Sequence, residues 1–582
     1  MQPKIHSNLT YKIGILGCPA EPDIRWTAEN IERLKTLGFN ALQLAIAWGY
    51  RPADEPLNLE DLVEIPPDRQ EKLAQPVPLR CDPSRHRFEV RRSDFRHRIA
   101  LCRAAGVRTV FNFGAPFNAH VTYGDTPPNC LLDNRTPSRY VELIRLFADQ
   151  FPGVDDLLLY TYDQDAWLCG EFGDCPRCAG IPLHRRVTAF VNQLAEAWRR
   201  QRPEGRLWWE PWELSAGQVF QSVRLLNPDT VGLALHSNVA EVMATQPVDH
   251  WLQVVTRSAR KVRLPVIVEH VLGNGNEELG AYLHIACPQV LLRALRAIAA
   301  LPIDGIKEYY GLLPQGNDSN LKLTSIVLGN PQLSDAEVLE QLAMPYGAAA
   351  MKMMEFWDAV SEAMDLFPWA ATWFMREFSR CNPSHGMGAA FLRGQQAHTP
   401  SWESSRRSIF MKTDDLQPAP WMLEDVQLQC ELSAERAAIA LELGKGLLDT
   451  IPASYRTEFE LGLSECHELR RRILSYAYHI RETNLAMLMR KYQQNGEESP
   501  EHLREELLSI LAADQKNQGQ LEPCAEAIRL LQDNAAMFLE TYFIIPETAP
   551  SKASPDFWTG GSKTGQESSP WANKGAFTVT SR

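Results

Sequence analysis

The densest gathering of groups able to do chemistry in this 582-residue chain is DLLLYTYDQDAWLCGEFGDCPRC, residues 156–178. It opens as an apolar run, predicted to be a strand buried on both faces, and chemistry would begin where that strand stops. Asp163 and Asp165 sit two apart, so an extended backbone sends both side chains off one face, about 7 Å apart along the chain. Glu171 follows in the loop. Two carboxyl groups held together at a strand end suit glycosidic bond cleavage, with one protonated as acid and the other ionised as base or nucleophile. The plainer reading of an Asp after a strand is a helix cap or turn residue.

Other segments must position these groups. Apolar runs at residues 11–16, 41–46, 108–113, 157–162, 206–209, 230–235, 265–268 and 305–307 alternate with helical patterns at 27–37, 93–105, 138–150, 187–200, 217–226, 248–259 and 288–300. Such alternation demands parallel strands, and eight units predict a (β/α)8 TIM barrel enlarged by insertions. The doubly wound sheet is disfavoured, because GILGCP after the first strand lacks the rest of a Gly-rich phosphate fingerprint. Residues 52–90, rich in Pro and charge, are expected as an irregular loop.

Strand after strand ends in a carboxylate, amide, histidine or aromatic residue, and the C-terminal rim of a barrel is where such side chains converge. Asp165 is the expected acid, because Trp167 and Leu168 would make its surroundings partly apolar. Glu269, ending PVIVEH across the barrel, is the expected nucleophile or base, with Asp163 orienting Asp165 or holding substrate. Glu210 and Glu308 are reserve carboxylates. Trp48, Tyr50, Trp167, Trp209, Trp212, Tyr309 and Tyr310 are candidate stacking surfaces, although aromatics also fill the layer between barrel and helices. His236 and His270 could donate to sugar hydroxyls, and Asn112 and Glu171 complete the substrate-binding set.

A net charge of -13 with scattered arginines speaks against a nucleic-acid surface, and no run approaches the length of a membrane span. The start MQPKIHSNLTYKIG lacks a secretory apolar core, so a cytoplasmic protein is expected. The expected partner is a carbohydrate substrate, with no cofactor, and a homo-oligomer is compatible with the sequence. Twelve cysteines in so long a chain make no disulfide scaffold. Cys169, Cys175 and Cys178 would need Cys130 or His184 as fourth ligand to hold zinc, and free thiols or one local disulfide are the expected state. No H-E-x-x-H, Walker or G-x-S-x-G motif occurs.

From Ser334 the pattern turns to long helices, at 334–364, 368–378, 433–448, 458–491, 500–515 and 523–542, with a turn-rich segment over 382–420. The methionines Met351, Met353, Met354 and Met364 read as core filler. The predicted organisation is a barrel over 1–330, a helical region over 331–545 and a disordered tail over 546–582.

The segment LTSIVLGNPQLSDAEVLEQLAMPYGAAAMKMMEFW after the eighth strand, together with Gly173-Asp174-Cys175-Pro176-Arg177-Cys178, resembles glycoside hydrolases of the broad group that includes family 20 hexosaminidase-like and α-glucuronidase-like barrels. The resemblance covers residues 10–380 and implies carbohydrate hydrolysis at the barrel rim. Hexosaminidases carry an adjacent Asp-Glu pair after strand four, where this chain has Asp163-Gln164-Asp165. Chitinase-like barrels end that motif in a Glu, where this chain has Trp167. Both departures count against substrate-assisted attack by an N-acetyl group, and a direct carboxylate pair across strands four and seven fits at least as well.

Overall fold

In a computed structural model, residues 9–19, 21, 25–46, 55–56, 58–69, 85–116, 130–161, 175–211, 214, 216–236, 250–275, 282–367, 420–519 and 522–543 are described. Eight parallel strands close into a barrel in sequence order: β1 (Tyr11–Ile15), β2 (Ala41–Gln43), β3 (Arg108–Gly114), β4 (Asp156–Tyr160), β5 (Leu207–Glu210), β6 (Val231–His236), β7 (Val266–His270) and β8 (Gly305–Glu308). Between them run α1 (Ala28–Thr36), α2 (Arg85–Ala104), α3 (Arg135–Gln150), α4 (Leu183–Gln201), α5 (Ala216–Ser222), α6 (His250–Lys261) and α7 (Pro288–Ala299). The chain is a (β/α)8 barrel followed by an all-α region.

The strands carry apolar side chains on both faces because both faces are covered. One face fills the barrel with Ile13, Ala41, Val110, Leu158, Trp208, Ala234 and Ile267. Trp208 fits because Gly232 lies on the next strand, where a Cβ would come 2.2 Å from the indole Cε3. The other face, including Leu157, Leu159, Trp209, Leu233 and Val268, packs against the helices. At the opposite end of β4 from the rim, the buried Asp156 accepts from Arg108 Nε at 2.5 Å and from the Arg206 backbone N–H at 2.7 Å, fastening three strands. Asp156 is thus structural.

Several predicted boundaries move. Helix α2 begins at Arg85, inside the stretch expected to be irregular, and residues 59–61 and 67–69 form 3-10 turns. The arginine-rich RHRFEVRR hides its helical period behind charge. Residues 319–329, for which no helix was predicted, form α8 (Ser319–Gly329), capped by Asp318. Its Leu321, Leu323 and Val327 are buried and Ile326 and Leu328 half-buried, so no single apolar stripe marks it.

Next come α9 (Asp335–Ala343), with a Ser334–Glu337 capping box, and α10 (Ala350–Leu366). Met353 and Met364 are core, as expected, whereas Met351 is exposed. After them, α11 (Pro420–Leu447) starts earlier than predicted, with proline at its N-terminus. The remaining helices are α12 (Ala453–Gln494), α13 (Glu501–Asn517), α14 (Glu522–Asp533) and α15 (Ala535–Tyr542). A single helix over 523–542 was expected, but Asn534 interrupts it by accepting from the Met537 N–H. The predicted helix over 368–378 and the predicted tail lie outside the described residues.

Helix α12 docks on the β7–α7 connection. Glu465 accepts from the backbone N–H groups of Leu283 (3.1 Å) and His284 (2.7 Å), and Glu458 lies 2.7 Å from His284 Nδ1. Close approach requires a glycine, since a Cβ on Gly462 would meet the His284 carbonyl oxygen at 2.7 Å. Gly462→Ala should therefore lower stability by about 1–3 kcal/mol despite alanine's better helix propensity. Thermal unfolding of the variant checks this, and an unchanged or raised midpoint would show that the contact yields freely.

Candidate active site at the C-terminal rim

Strand periodicity decides which side chains enter the barrel mouth. Two residues beyond the interior layer, on the same face, lie Gln43, Asn112, Tyr160, Glu210, His236, Glu269 and Lys307. Glu210, His236 and Glu269 each bring a ligating atom within 4.8 Å of the others. His236 Nε2 lies 3.1 Å from Glu210 Oε1, and its Nδ1 lies 3.9 Å from Glu269 Oε2. Lys307 Nζ is 3.2 Å from Glu269 Oε1 and donates to the Glu308 carbonyl at 3.0 Å. Tyr309 sets its ring edge-on to His236, with centroids 5.2 Å apart.

The Glu269 side chain is 1% exposed and that of Glu210 4%. Burial raises the Glu269 pKa above the ordinary carboxylate value, and the Glu210 charge raises it further, while Lys307 and His236 oppose them. The nearby Glu210 carboxylate thus favours the protonated form of Glu269. A Glu-His-Glu set also has the donor types of a divalent-cation site, but there the Lys307 ammonium already supplies positive charge beside Glu269.

The opposite strand face removes three expected site residues from the cup. Trp209 is buried between barrel and helices and donates from Nε1 to Thr161 Oγ1 at 3.0 Å, so it is no stacking surface. His270 is buried on the same outer face, where burial pushes its pKa down to about 4 and keeps it neutral. Glu308 accepts from the backbone N–H groups of Leu272 (2.8 Å), Tyr310 (2.8 Å) and Gly311 (2.9 Å), clamping the connections after β7 and β8. Tyr310 is buried as well.

Of the remaining expectations, Glu210, His236, Glu269, Asn112 and Tyr309 are at the rim. Asp163, Asp165, Trp167, Glu171, Trp48, Tyr50 and Trp212 lie outside the described residues. Sequence reasoning passed over Gln43 and Tyr160 and gave Lys307 no part in the carboxylate pair. The signal was present, since each stands two residues beyond an interior position, but it requires knowing which face is the inside.

Glu308 carries a pH signature. Burial outweighs its three N–H donors and lifts its carboxyl from 4.5 to about 7. A raised folded-state pKa contributes stability that is full below 4.5 and lost as pH rises through about 7. The midpoint advantage of wild type over Glu308→Gln should shrink across that window in pH-dependent calorimetry. An advantage that grows with pH would show that the clamp works ionised.

No protein-family model matches the sequence, and no curated protein matches it. Solved structures do. An enzyme of glycoside hydrolase family 138 targeting pectin rhamnogalacturonan II superposes with a TM-score of 0.54 at 12% identity, over 88% of this chain and 62% of that one. The chain thus spans less than two thirds of that enzyme's length. Endo-glycoceramidase II from Rhodococcus sp. gives 0.33 at 14% identity, over 54% and 78%. A psychrophilic family 10 endo-β-1,4-xylanase gives 0.30 at 13% identity, over 52% and 86%. At such identity the first of them shows a shared fold and no more. The reaction must be argued from the rim. Among the described residues no helix is long and apolar enough to cross a membrane.

Proposed function

We propose that the protein is a retaining glycoside hydrolase whose carboxylate pair is Glu210 and Glu269. The observation that carries this reading is the approach of their oxygens to within 4.8 Å at the barrel mouth. Retaining enzymes hold their carboxyl groups about 5–5.5 Å apart, whereas inverting ones leave about 6.5–9.5 Å for a water. Glu269, whose pKa is raised, is the acid that protonates the leaving oxygen and the base that activates water in the second step. Glu210 attacks the anomeric carbon. Its C–O bond forms as the glycosidic bond breaks, and the proton from Glu269 leaves with the aglycone. Tyr309 offers a ring face near the pair, and Asn112 a polar group for sugar hydroxyls.

The finer affinity to family 20-like and α-glucuronidase-like barrels belongs to this proposal too, resting on the segment after β8 and the loop after β4. A panel of nitrophenyl glycosides that includes uronides, N-acetylhexosaminides and sialosides tests the reading. Release from one class, lost in Glu269→Gln, supports it. Asp165→Asn is the companion variant: abolished turnover in a folded protein would move the acid from Glu269 to the loop after β4.

Lys307 favours one second reading, a lyase or isomerase in which a rim lysine removes a proton, because its Nζ shares the cup with Glu269. Under that reading Lys307→Met abolishes activity and no nitrophenyl glycoside is cleaved.

A further inference from the structure

We propose that Cys130, Cys175 and Cys178 form a zinc site that ties the connection after β3 to the connection after β4. Cys130 lies 45 residues before Cys175 in the chain, yet its Sγ stands 3.8 Å from the Cys175 Sγ. All three sulfurs lie within 4.8 Å of one another. A disulfide would hold two of them at about 2.05 Å, and all three are free thiols. Tetrahedral coordination with Zn–S bonds of about 2.3 Å sets sulfurs about 3.8 Å apart.

The surroundings fit a metal better than a hydrophobic contact. The three cysteines form a cluster of their own, apart from the main core. The Cys175-Pro176-Arg177-Cys178 segment is a tight turn in which the N–H groups of Cys178 and Ala179 return to the Cys175 carbonyl at 3.2 and 2.9 Å. Three thiolates and one Zn2+ leave a net negative charge, and the buried Arg186 faces Cys178 to offset it. The thiols release their protons to solvent on binding, and the fourth position is open to a further donor.

Both tied connections leave the C-terminal face of the barrel, and the second carries Asp163 and Asp165. The site would be structural and would act on the rim by holding that connection.

The test uses the full chain, purified without chelator and analysed for metal, then stripped and titrated with Co2+ alone. About one equivalent of tightly bound zinc is expected, with thiolate-to-cobalt charge-transfer bands and intense tetrahedral visible bands after substitution. Cys130→Ser and Cys178→Ser should each lose those bands, whereas Cys430→Ser, buried elsewhere, should keep them. Wild-type protein that binds neither metal would overturn the proposal, as would bands unchanged in Cys130→Ser or a disulfide mapped between any two of the three.

Discussion

Replacing Glu269 by Gln should reduce turnover of the cleaved nitrophenyl glycoside by about a thousandfold or more, with little change in folding. The amide keeps the shape of the side chain and removes both the proton to be given and the charge to be paired. Glu210→Gln should be as damaging, because no covalent intermediate can then form. The two losses should differ in kind. With a leaving group as good as dinitrophenolate, protonation is scarcely needed, so Glu269→Gln should recover much of its first step while Glu210→Gln should not. Azide should rescue both, giving a glycosyl azide of retained configuration from the acid/base variant and inverted configuration from the nucleophile variant. Full activity in either variant would remove that residue from the chemistry.

Lys307→Met should have the second largest effect, and chiefly on stability. Lys307 is 3% exposed and lies 3.2 Å from a carboxylate that is 1% exposed. Removing one partner of such a pair leaves an uncompensated buried charge at a cost of about 3–5 kcal/mol. Glu269 escapes that cost by taking a proton, since Lys307 is one of the groups holding its pKa down. The loss should therefore grow as pH rises and Glu269 ionises, and shrink as the solution is acidified. The same shift should move the basic limb of kcat/KM to higher pH, because the acid stays protonated longer. Chemical denaturation at several pH values, with a pH–rate profile, reads both. A loss independent of pH would mean that the lysine matters for packing alone.

The alternation of eight apolar runs with helical patterns was enough to reach the barrel once the missing Gly-rich fingerprint had set aside the doubly wound sheet, the other architecture of parallel strands covered on both faces. Thr27, Ser334 and the run ending in Glu269 stand where their residue types predict. Inside and outside were less legible. Glu269 and His270 are adjacent rim residues of comparable chemistry, yet one enters the cup and the other packs under the helices. Trp208 and Trp209 divide in the same way. A strand buried on both faces has no polar alternation to mark its inner side, so parity emerges only once the register is known. Helix α8 stayed hidden for a related reason, having no dry side distinct from a wet one.

The approach of Cys130 to the turn at Cys175 depends on how two connections fold over one barrel end, and no local spacing encodes it. Nor does periodicity disclose Lys307 as the counter-charge of Glu269, since β7 and β8 must first pair Glu269 with Lys307. Propensity and pattern supply the scaffold here, while the chemistry arises from which strand neighbours which.

The most direct measurement is to trap the intermediate. A 2-deoxy-2-fluoro glycoside of the sugar class identified in the panel, carrying a good leaving group, should inactivate the enzyme with one sugar attached, and peptide mass spectrometry should locate the sugar on Glu210. A label on Asp163 or Asp165, or turnover that inverts the anomeric centre with no label at all, would contradict the Glu210–Glu269 pair.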